Sequence, residues 1–456
     1  MIPSFRFINF VNMGEKMVLV GGGLAGSLMS IYLAKKGYDV HLYERRSDMR
    51  GGNYQGGRSI NLALSVRGIT ALEKVGLTKE ILDISIPMYG RMMHSTAGEL
   101  NYQAYGRDDQ AIYSVSRGEL NIRLLQLADQ YPNIHMYFDH KCYKMDLDQN
   151  VAWFEDVNGD KHEVKGDVFL ATDGAFSALR EAMIKNPRHN FSQTYESHGY
   201  KELEIVPGPN ATFQMEEKAL HIWPRSSFMM IALPNPGGNF TCTLFMPYDG
   251  EVSFSKLNTD DEIMAFFKEY FADAMPMMPN LLEDFKGNPI GHLATMRTYP
   301  WVKNRSALMG DAAHAVVPFY GQGMNCSFED CVVLDECVSK FEGNWDKILH
   351  EYQISRKTNA DAIADLALQN FIEMRDLVGL PEFLRKKKIE KVLVDNYPGL
   401  YRSQYERVTF SNDNYRDALN AGEKNDRFIQ HLIDHHLEDH LENADTIKPL
   451  LNDWFA

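Results

Sequence analysis

The sequence predicts an α/β protein with three parts: a discontinuous domain on a parallel sheet, a second domain on a mixed or antiparallel sheet, and a largely helical C-terminal region. A strand, a glycine turn and a helix occupy residues 17–44, and the same order recurs at 167–183. A third strand with a glycine-rich turn stands at 306–325, and the intervening residues 191–300 are short β-rich pieces parted by Pro and Gly. The third strand therefore re-enters the first sheet after a second domain has been inserted.

In the first unit, MVLV (17–20) reads as a buried strand, LAGSLMSIYLAKKG as a helix and DVHLYE as a second strand. Gly21, Gly23 and Gly26 fill the three positions of GxGxxG, and Glu44 closes the second strand where an acid would grip a ribose. The amides of Leu24, Ala25 and Gly26 open the helix and form an anion site. This is a Rossmann-like dinucleotide fingerprint, and the residues themselves leave both FAD and NAD(P) open.

GGNYQGGRSINLALSVRG then reads as a glycine-rich loop leading into a short helix that ends near Gly76, with Arg58 as a phosphate or ring contact. SVSRGELNIRLLQLADQYP carries a capping box, Ser116 with Glu119, at the head of a helix. A strand IHMYF and an antiparallel ribbon (MDLD, VAWFED, HEVKG) lead back to the parallel sheet at DVFLAT. There Asp173 and Gly174 stand at the strand's carboxyl end and Ser177 caps the next helix. YKELEIV, ALHIWP, FMMIALP and FTCTLFMP build the second sheet. SALMG returns to the first sheet and runs into GDAAHAVVPFYGQGMN, after which the chain is mostly helical.

Bulk properties exclude several classes. With 47 basic against 62 acidic residues and a net charge of −15, nucleic acid is not an expected partner. The five cysteines fit neither a disulfide framework nor a CxxC metal site, so a reducing, cytoplasmic setting and no bound metal are expected. Cys326, Cys331 and Cys337 read as small core residues of one helix, and Lys386, Lys387 and Lys388 as a solvated face. The histidines of HLIDHHLEDH read as another solvated face. MIPSFRFINFVNMGEK is too short and poorly flanked for a signal peptide, and Met13 offers an alternative start. No window reaches about 18 uninterrupted apolar residues, so no transmembrane anchor is expected.

Taken together, the GxGxxG turn, TDGAFSALR and GDAAHAVVPFYGQGMN resemble, in order, the flavoprotein aromatic hydroxylases of the para-hydroxybenzoate hydroxylase class. GRSINLALSVRG, GRMMH, YGRDD, SVSRGELN, HGYKEL, LHIWP, QNFIEM and YERVTF extend the likeness to the kynurenine-hydroxylating branch over roughly residues 15–415. The resemblance implies an FAD-binding domain at 13–185 and 301–345, a substrate domain at 186–300 and a helical region at 346–456. It implies tightly bound FAD and transient NADPH, with O2 delivered to L-kynurenine through a flavin C4a-hydroperoxide to give 3-hydroxy-L-kynurenine. A homodimer is compatible with it. The membrane anchor that eukaryotic relatives carry near the C-terminus has no counterpart in these residues.

The same resemblance implies the site residues. For the cofactors they are Glu44 and Arg45 at the adenosine ribose, Arg58, Arg117 beside the flavin, and Asp311 on the ribityl or pyrophosphate region. Asp173, Gly174 and Arg180 contribute to cofactor handling, and Gly321, Gly323, Met324 and Asn325 frame the flavin edge. L-Kynurenine is held by Arg91 and Tyr105 at its carboxylate, with Asn370 and Tyr405 completing the polar shell. Ile231, Phe245, Phe319 and Met374 line the aromatic part, and Tyr320 stands where bacterial relatives often carry histidine. No catalytic side chain is expected, because the chemistry is flavin-centred. Arg91 fits a carboxylate independently of family, since its planar fork takes one bidentately and a tyrosine hydroxyl can complete the site. His314 reads as ordering its loop rather than as an acid or base. The alternatives are a flavin hydroxylase for another amino-acid-like or phenolic substrate, an NAD dehydrogenase, which leaves residues 310–325 unexplained, and, more remotely, a non-enzymatic flavin-fold binding protein.

Overall fold

The computed structural model describes residues 14–51, 61–106, 110–374 and 380–455. The parallel sheet has six strands in the order Val302–Lys303, Ser306–Leu308, Val168–Ala171, Lys16–Val20, Asp39–Tyr43 and Ile134–Tyr137. Every pairing is parallel except the outermost hairpin. The strand Lys16–Val20 is buried almost throughout, as expected where helices cover both faces. The helix Leu24–Lys35 packs on it with Leu28, Met29, Ile31 and Leu33 wholly buried. Three sequence-distant strands thus end side by side, which brings the three glycine turns to one edge of the sheet.

The second sheet is mixed and has seven strands in the order Gly291–Tyr299, Asn190–Ile205, Phe240–Pro247, Phe228–Pro234, Ala219–Arg225, Gly90–His94 and Leu100–Ala104. The last two come from the early part of the chain, and Gly90–His94 pairs in parallel with Ala219–Arg225. That pairing carries Arg91 into the second sheet. Helices Asp260–Tyr270 and Leu281–Gly287 cover the sheet's outer core, where Phe266, Phe267 and Phe285 are buried. The β-rich reading of 191–300 passes over both helices.

Two other expectations are refined. The segment read as a loop before a short helix contains a strand, Asn61–Leu64, paired antiparallel with Ile112–Ser116, and its helix is Val66–Glu73. At the helix Arg117–Ala128, the Ser116 hydroxyl accepts the Glu119 amide as expected, while the Glu119 carboxylate receives Arg123 Nε at 2.9 Å. The expected ribbon is a three-stranded antiparallel sheet, Lys141–Asp146, Val151–Glu155 and Lys161–Lys165. Beyond the third glycine turn the chain is helical. Gly323–Phe341 and Trp345–Ile372 lie against the first domain, and Pro381–Asn396, Tyr415–Asp434 and Ala444–Phe455 share a further core around Leu393, Phe428 and Leu451. Among the described residues, no helix is long and apolar enough to cross a membrane.

Candidate functional site

Steric demands separate the three fingerprint glycines. Gly21 adopts φ +108, and a Cβ there would stand 2.5 Å from the Thr172 carbonyl oxygen. A Cβ on Gly26 would lie 1.9 Å from the Gly21 carbonyl oxygen, whereas one on Gly23 would meet no protein atom within 4 Å. Gly21 and Gly26 therefore serve the packing of the turn, and Gly23 keeps a cradle open at the helix N-terminus. Gly26→Ala is accordingly expected to cost about 1–3 kcal/mol of overpacking and to lower both melting temperature and flavin content. Gly23→Ala should lower flavin content alone, so comparing apo-protein melting with bound-flavin absorbance separates the two roles.

Glu44 lies at the mouth of this cradle. Its Oε2 accepts the Gly22 amide at 2.7 Å, and its Oε1 accepts the backbone amide and Nε of Arg46 at 2.9 and 2.8 Å. Burial would raise the Glu44 carboxyl, but the Arg46 contacts outweigh it and hold the group below its ordinary value. Arg46, not the exposed Arg45, is thus the arginine that fixes Glu44.

The second and third glycine turns are tied together by Arg180, whose guanidinium donates to the carbonyls of Ala312 (3.0 Å) and Ala175. That side chain is committed to protein and positions both turns. Asp173 accepts the Ala178 amide at 2.8 Å through Oδ2, while its buried Oδ1 has no partner and burial raises its carboxyl. Gly174 has φ +78. Asp311 opens the short helix Asp311–His314 and is solvent-exposed; the surrounding protein raises its carboxyl, and the nearby Arg117 charge opposes that rise. Arg117 and Asp311, far apart in sequence, are thus close enough for the arginine's charge to act on the carboxyl.

Gly321 takes a left-handed turn (φ +67) before the helix Gly323–Phe341. A Cβ on Gly323 would meet only Val316, at 3.9 Å, so this N-terminus too is open. Met324 is buried. Asn325 is not available to a ligand through its amide: Oδ1 accepts the Ser65 amide at 3.0 Å, and Nδ2 donates to the Ala63 and Gly321 carbonyls, both at 2.9 Å. Its side chain staples the strand Asn61–Leu64 to the turn, and only its backbone remains for the cofactor edge. Arg58 lies outside the described residues.

The expected substrate residues fall in adjoining packed groups, an arginine–tyrosine group and an apolar one, linked through Tyr320. The Arg91 guanidinium lies over the rings of Tyr405 (4.7 Å) and Tyr105 (5.3 Å) and has no carboxylate partner among the described residues. Arg91 Nε and the Tyr105 hydroxyl are buried without a hydrogen-bond partner. Burial pushes the Tyr105 and Tyr320 phenols well above their ordinary values, so both are neutral donors. Tyr405 stacks between Tyr105 (5.4 Å) and Tyr320 (5.8 Å). Asn370 donates Nδ2 to the Phe319 carbonyl at 2.6 Å, which pins the turn Pro318–Tyr320 to the long helix. Phe319 stacks on Phe371 at 4.3 Å and meets Phe245 at 5.0 Å, and Ile231 and Met374 pack in the same apolar group.

Sequence reasoning missed a buried ionic network behind the third turn. Asp330 accepts His314 Nε2 (2.7 Å), Arg356 Nε (2.7 Å) and the Gly310 amide (2.8 Å). Glu329 pairs with Arg356 and with Arg67, which also donates to the carbonyls of Asp413 and Val408 and lies over the Tyr415 ring. His314 thus orders its loop, as expected. Glu373, in the turn after Asn370, was also missed; burial raises its carboxyl, with Lys387 opposing at 3.6 Å.

The chain matches the FAD binding domain family model over residues 15–367. It is 48% identical over 421 residues to kynurenine 3-monooxygenase of Myxococcus xanthus, covering 92% of this chain and 90% of that protein. It is 44% identical over 449 residues to kynurenine 3-monooxygenase of Dictyostelium discoideum, covering 95% of this chain and 96% of that protein. Among solved structures, 2-methyl-3-hydroxypyridine-5-carboxylic acid oxygenase superposes with TM-score 0.65 at 18% identity, over 81% of this chain and 95% of that one. PqsL of P. aeruginosa in complex with 2-aminobenzoylacetate superposes with TM-score 0.64 at 16% identity, over 79% and 97%. At those identities the structures speak for the fold alone.

Proposed function

The chain belongs to the kynurenine 3-monooxygenase family of FAD-binding proteins, and from that premise we infer that it converts L-kynurenine to 3-hydroxy-L-kynurenine with FAD, NADPH and O2. The observation that carries the substrate reading is Arg91, a half-buried guanidinium whose Nε is buried without a hydrogen-bond partner and which has no carboxylate partner among the described residues, flanked by Tyr105 and Tyr405. A partly desolvated guanidinium held between two tyrosine rings and lacking an anionic partner suits an anion that arrives from outside.

FAD, when bound, supplies the hydride acceptor and the centre at which O2 is activated. Gly23 and the helix amides after it would receive its pyrophosphate, and Glu44 its adenosine ribose. The open N-terminus at Gly323 would offer free amides and a positive dipole end to the part of the cofactor that becomes negative on reduction. Arg117, whose charge acts on the Asp311 carboxyl, would with Asp311 contribute to the cofactor's surroundings.

Arg91 would take the substrate carboxylate, with the neutral Tyr105 hydroxyl as a further donor. Phe319, held by Asn370, would with Phe245, Ile231 and Met374 clamp the aromatic ring and exclude water. Neutral Tyr320 would donate a hydrogen bond to the polar end of the ring substituent. No side chain is required as nucleophile, acid or base.

The direct test is coupling. The purified protein should be yellow with releasable FAD, and L-kynurenine should accelerate aerobic NADPH oxidation with nearly one 3-hydroxylated product per NADPH. Accelerated oxidation that yields only hydrogen peroxide with kynurenine, alongside coupled turnover of another member of an aromatic panel, would reassign the substrate.

A further inference from the structure

We propose that Asp39, His41 and His135 form a binding site for a zinc-class divalent cation at the end of the parallel sheet remote from the flavin cradle. The register of the sheet creates the cluster. His41 and His135 stand directly opposite one another on neighbouring parallel strands, and Asp39 precedes His41 by two residues, on the same face. Nε2 of His41 lies 3.1 Å from one Asp39 carboxylate oxygen, and Nε2 of His135 lies 3.1 Å from the other. The imidazole centroids are 4.8 Å apart, and the three ligand atoms all fall within 4.8 Å of one another.

A tetrahedral ion with bonds of about 2.0–2.1 Å needs ligand separations of roughly 3.3–3.4 Å; both histidine–Asp39 distances are close to that, and the two imidazoles would adjust within their 4.8 Å bound. Two imidazoles and one carboxylate suit Zn2+, and Cu2+ more tightly still, rather than Mg2+ or Ca2+. The Tyr137 hydroxyl lies 3.2 Å from Nδ1 of His41 and fixes that ring with Nε2 turned to the cluster. His135 is exposed, which leaves a side open for a water ligand. Lys16, opposite Asp39 on the next strand, works against a bound cation, and the Asp39 carboxylate is the group that offsets it.

The cluster is not part of the redox site. Glu44 follows Tyr43 at the other end of the strand, five residues or about 16 Å from Asp39. An ion there would clamp the edge strand Ile134–Tyr137 to its neighbour. The comparable cluster His314, Cys326 and Asp330 offers no such site, because Asp330 is already engaged by Gly310, His314 and Arg356.

The test uses the FAD-loaded full chain, stripped with a chelator and titrated calorimetrically with Zn2+ alone. One equivalent should bind and raise the melting temperature, with Co2+ giving the absorption of a tetrahedral ion. Asp39→Asn and His135→Ala should each weaken binding at least about tenfold and abolish the thermal shift, with flavin content and kynurenine-dependent turnover unchanged. His435→Ala removes a competing histidine pair, His431 and His435, whose rings are 4.1 Å apart, and should leave the affinity intact. No zinc bound at micromolar concentration, or equal affinity in wild type, Asp39→Asn and His135→Ala, would overturn the proposal. Asp39 would then simply accept two imidazole N–H groups.

Discussion

Arg91→Ala is expected to weaken L-kynurenine binding by about 2–5 kcal/mol, roughly 30-fold to several-thousand-fold in Kd, with bound FAD retained. The size follows from the surroundings: the half-buried guanidinium lies against the rings of Tyr105 and Tyr405, so the carboxylate it would receive is partly shielded from water. The accompanying stability change is diagnostic. With no carboxylate partner among the described residues and only partial burial, the guanidinium's desolvation is offset by the two tyrosines, so its removal should leave the melting temperature nearly unchanged. Arg91→Lys should restore only part of the affinity, because an ammonium lacks the planar fork. Calorimetric titration with kynurenine and the flavin spectrum of the same sample read both effects. Loss of FAD, or an unchanged Kd, would place Arg91 at another task.

The sequence made the cofactor side legible where the reason is local and steric. Gly21 and Gly26 stand where a Cβ would strike Thr172 and Gly21 themselves, and no other residue type solves that turn. Arg180 was legible as a residue of the second motif but not in its role, because its carbonyl partner Ala312 lies 132 positions away. The pairing of Gly90–His94 with Ala219–Arg225 is equally invisible to periodicity, since alternation reports which face of a strand is buried and not which strand lies beside it. Arg91 could be named because an arginine with a tyrosine suits an amino-acid head group. That it is half-buried without a carboxylate partner among the described residues is a property of three dimensions. Asn325 illustrates the converse: a polar residue in a functional motif whose amide is consumed by the backbone around it.

The buried network behind the third turn gives the largest expected effect on stability. His314, Arg356 and Arg67 are three cations set against two anions, Asp330 and Glu329, with backbone carbonyls and the Tyr415 ring absorbing the excess. Burial alone would drive His314 and Asp330 toward neutrality. Instead Asp330 raises the imidazole well above its ordinary value, and His314 with Arg356 lowers the carboxyl to about 2. The histidine's contribution is complete below its unfolded pKa and is lost as pH rises through its raised folded value. The aspartate's is complete above its unfolded pKa and is lost as pH falls through about 2. The pair therefore stays charged at neutral pH.

Asp330→Asn leaves Arg356 and Arg67 facing one carboxylate and deprives His314 of the anion that keeps it protonated, and should cost about 3–5 kcal/mol, enough to consume much of the stability of an ordinary domain. His314→Gln removes a cation from a network already positive and keeps a donor, so its cost should be far smaller. Asp330 also holds the Gly310 amide, and Gly310 opens the segment that carries Asp311 and Phe319. The asparagine variant should therefore shed FAD before it unfolds. Denaturant unfolding followed by flavin fluorescence and by far-ultraviolet circular dichroism should give two separated transitions in Asp330→Asn and coincident ones in His314→Gln. Equal destabilisation by the two variants would show that charge balance is not what the network maintains.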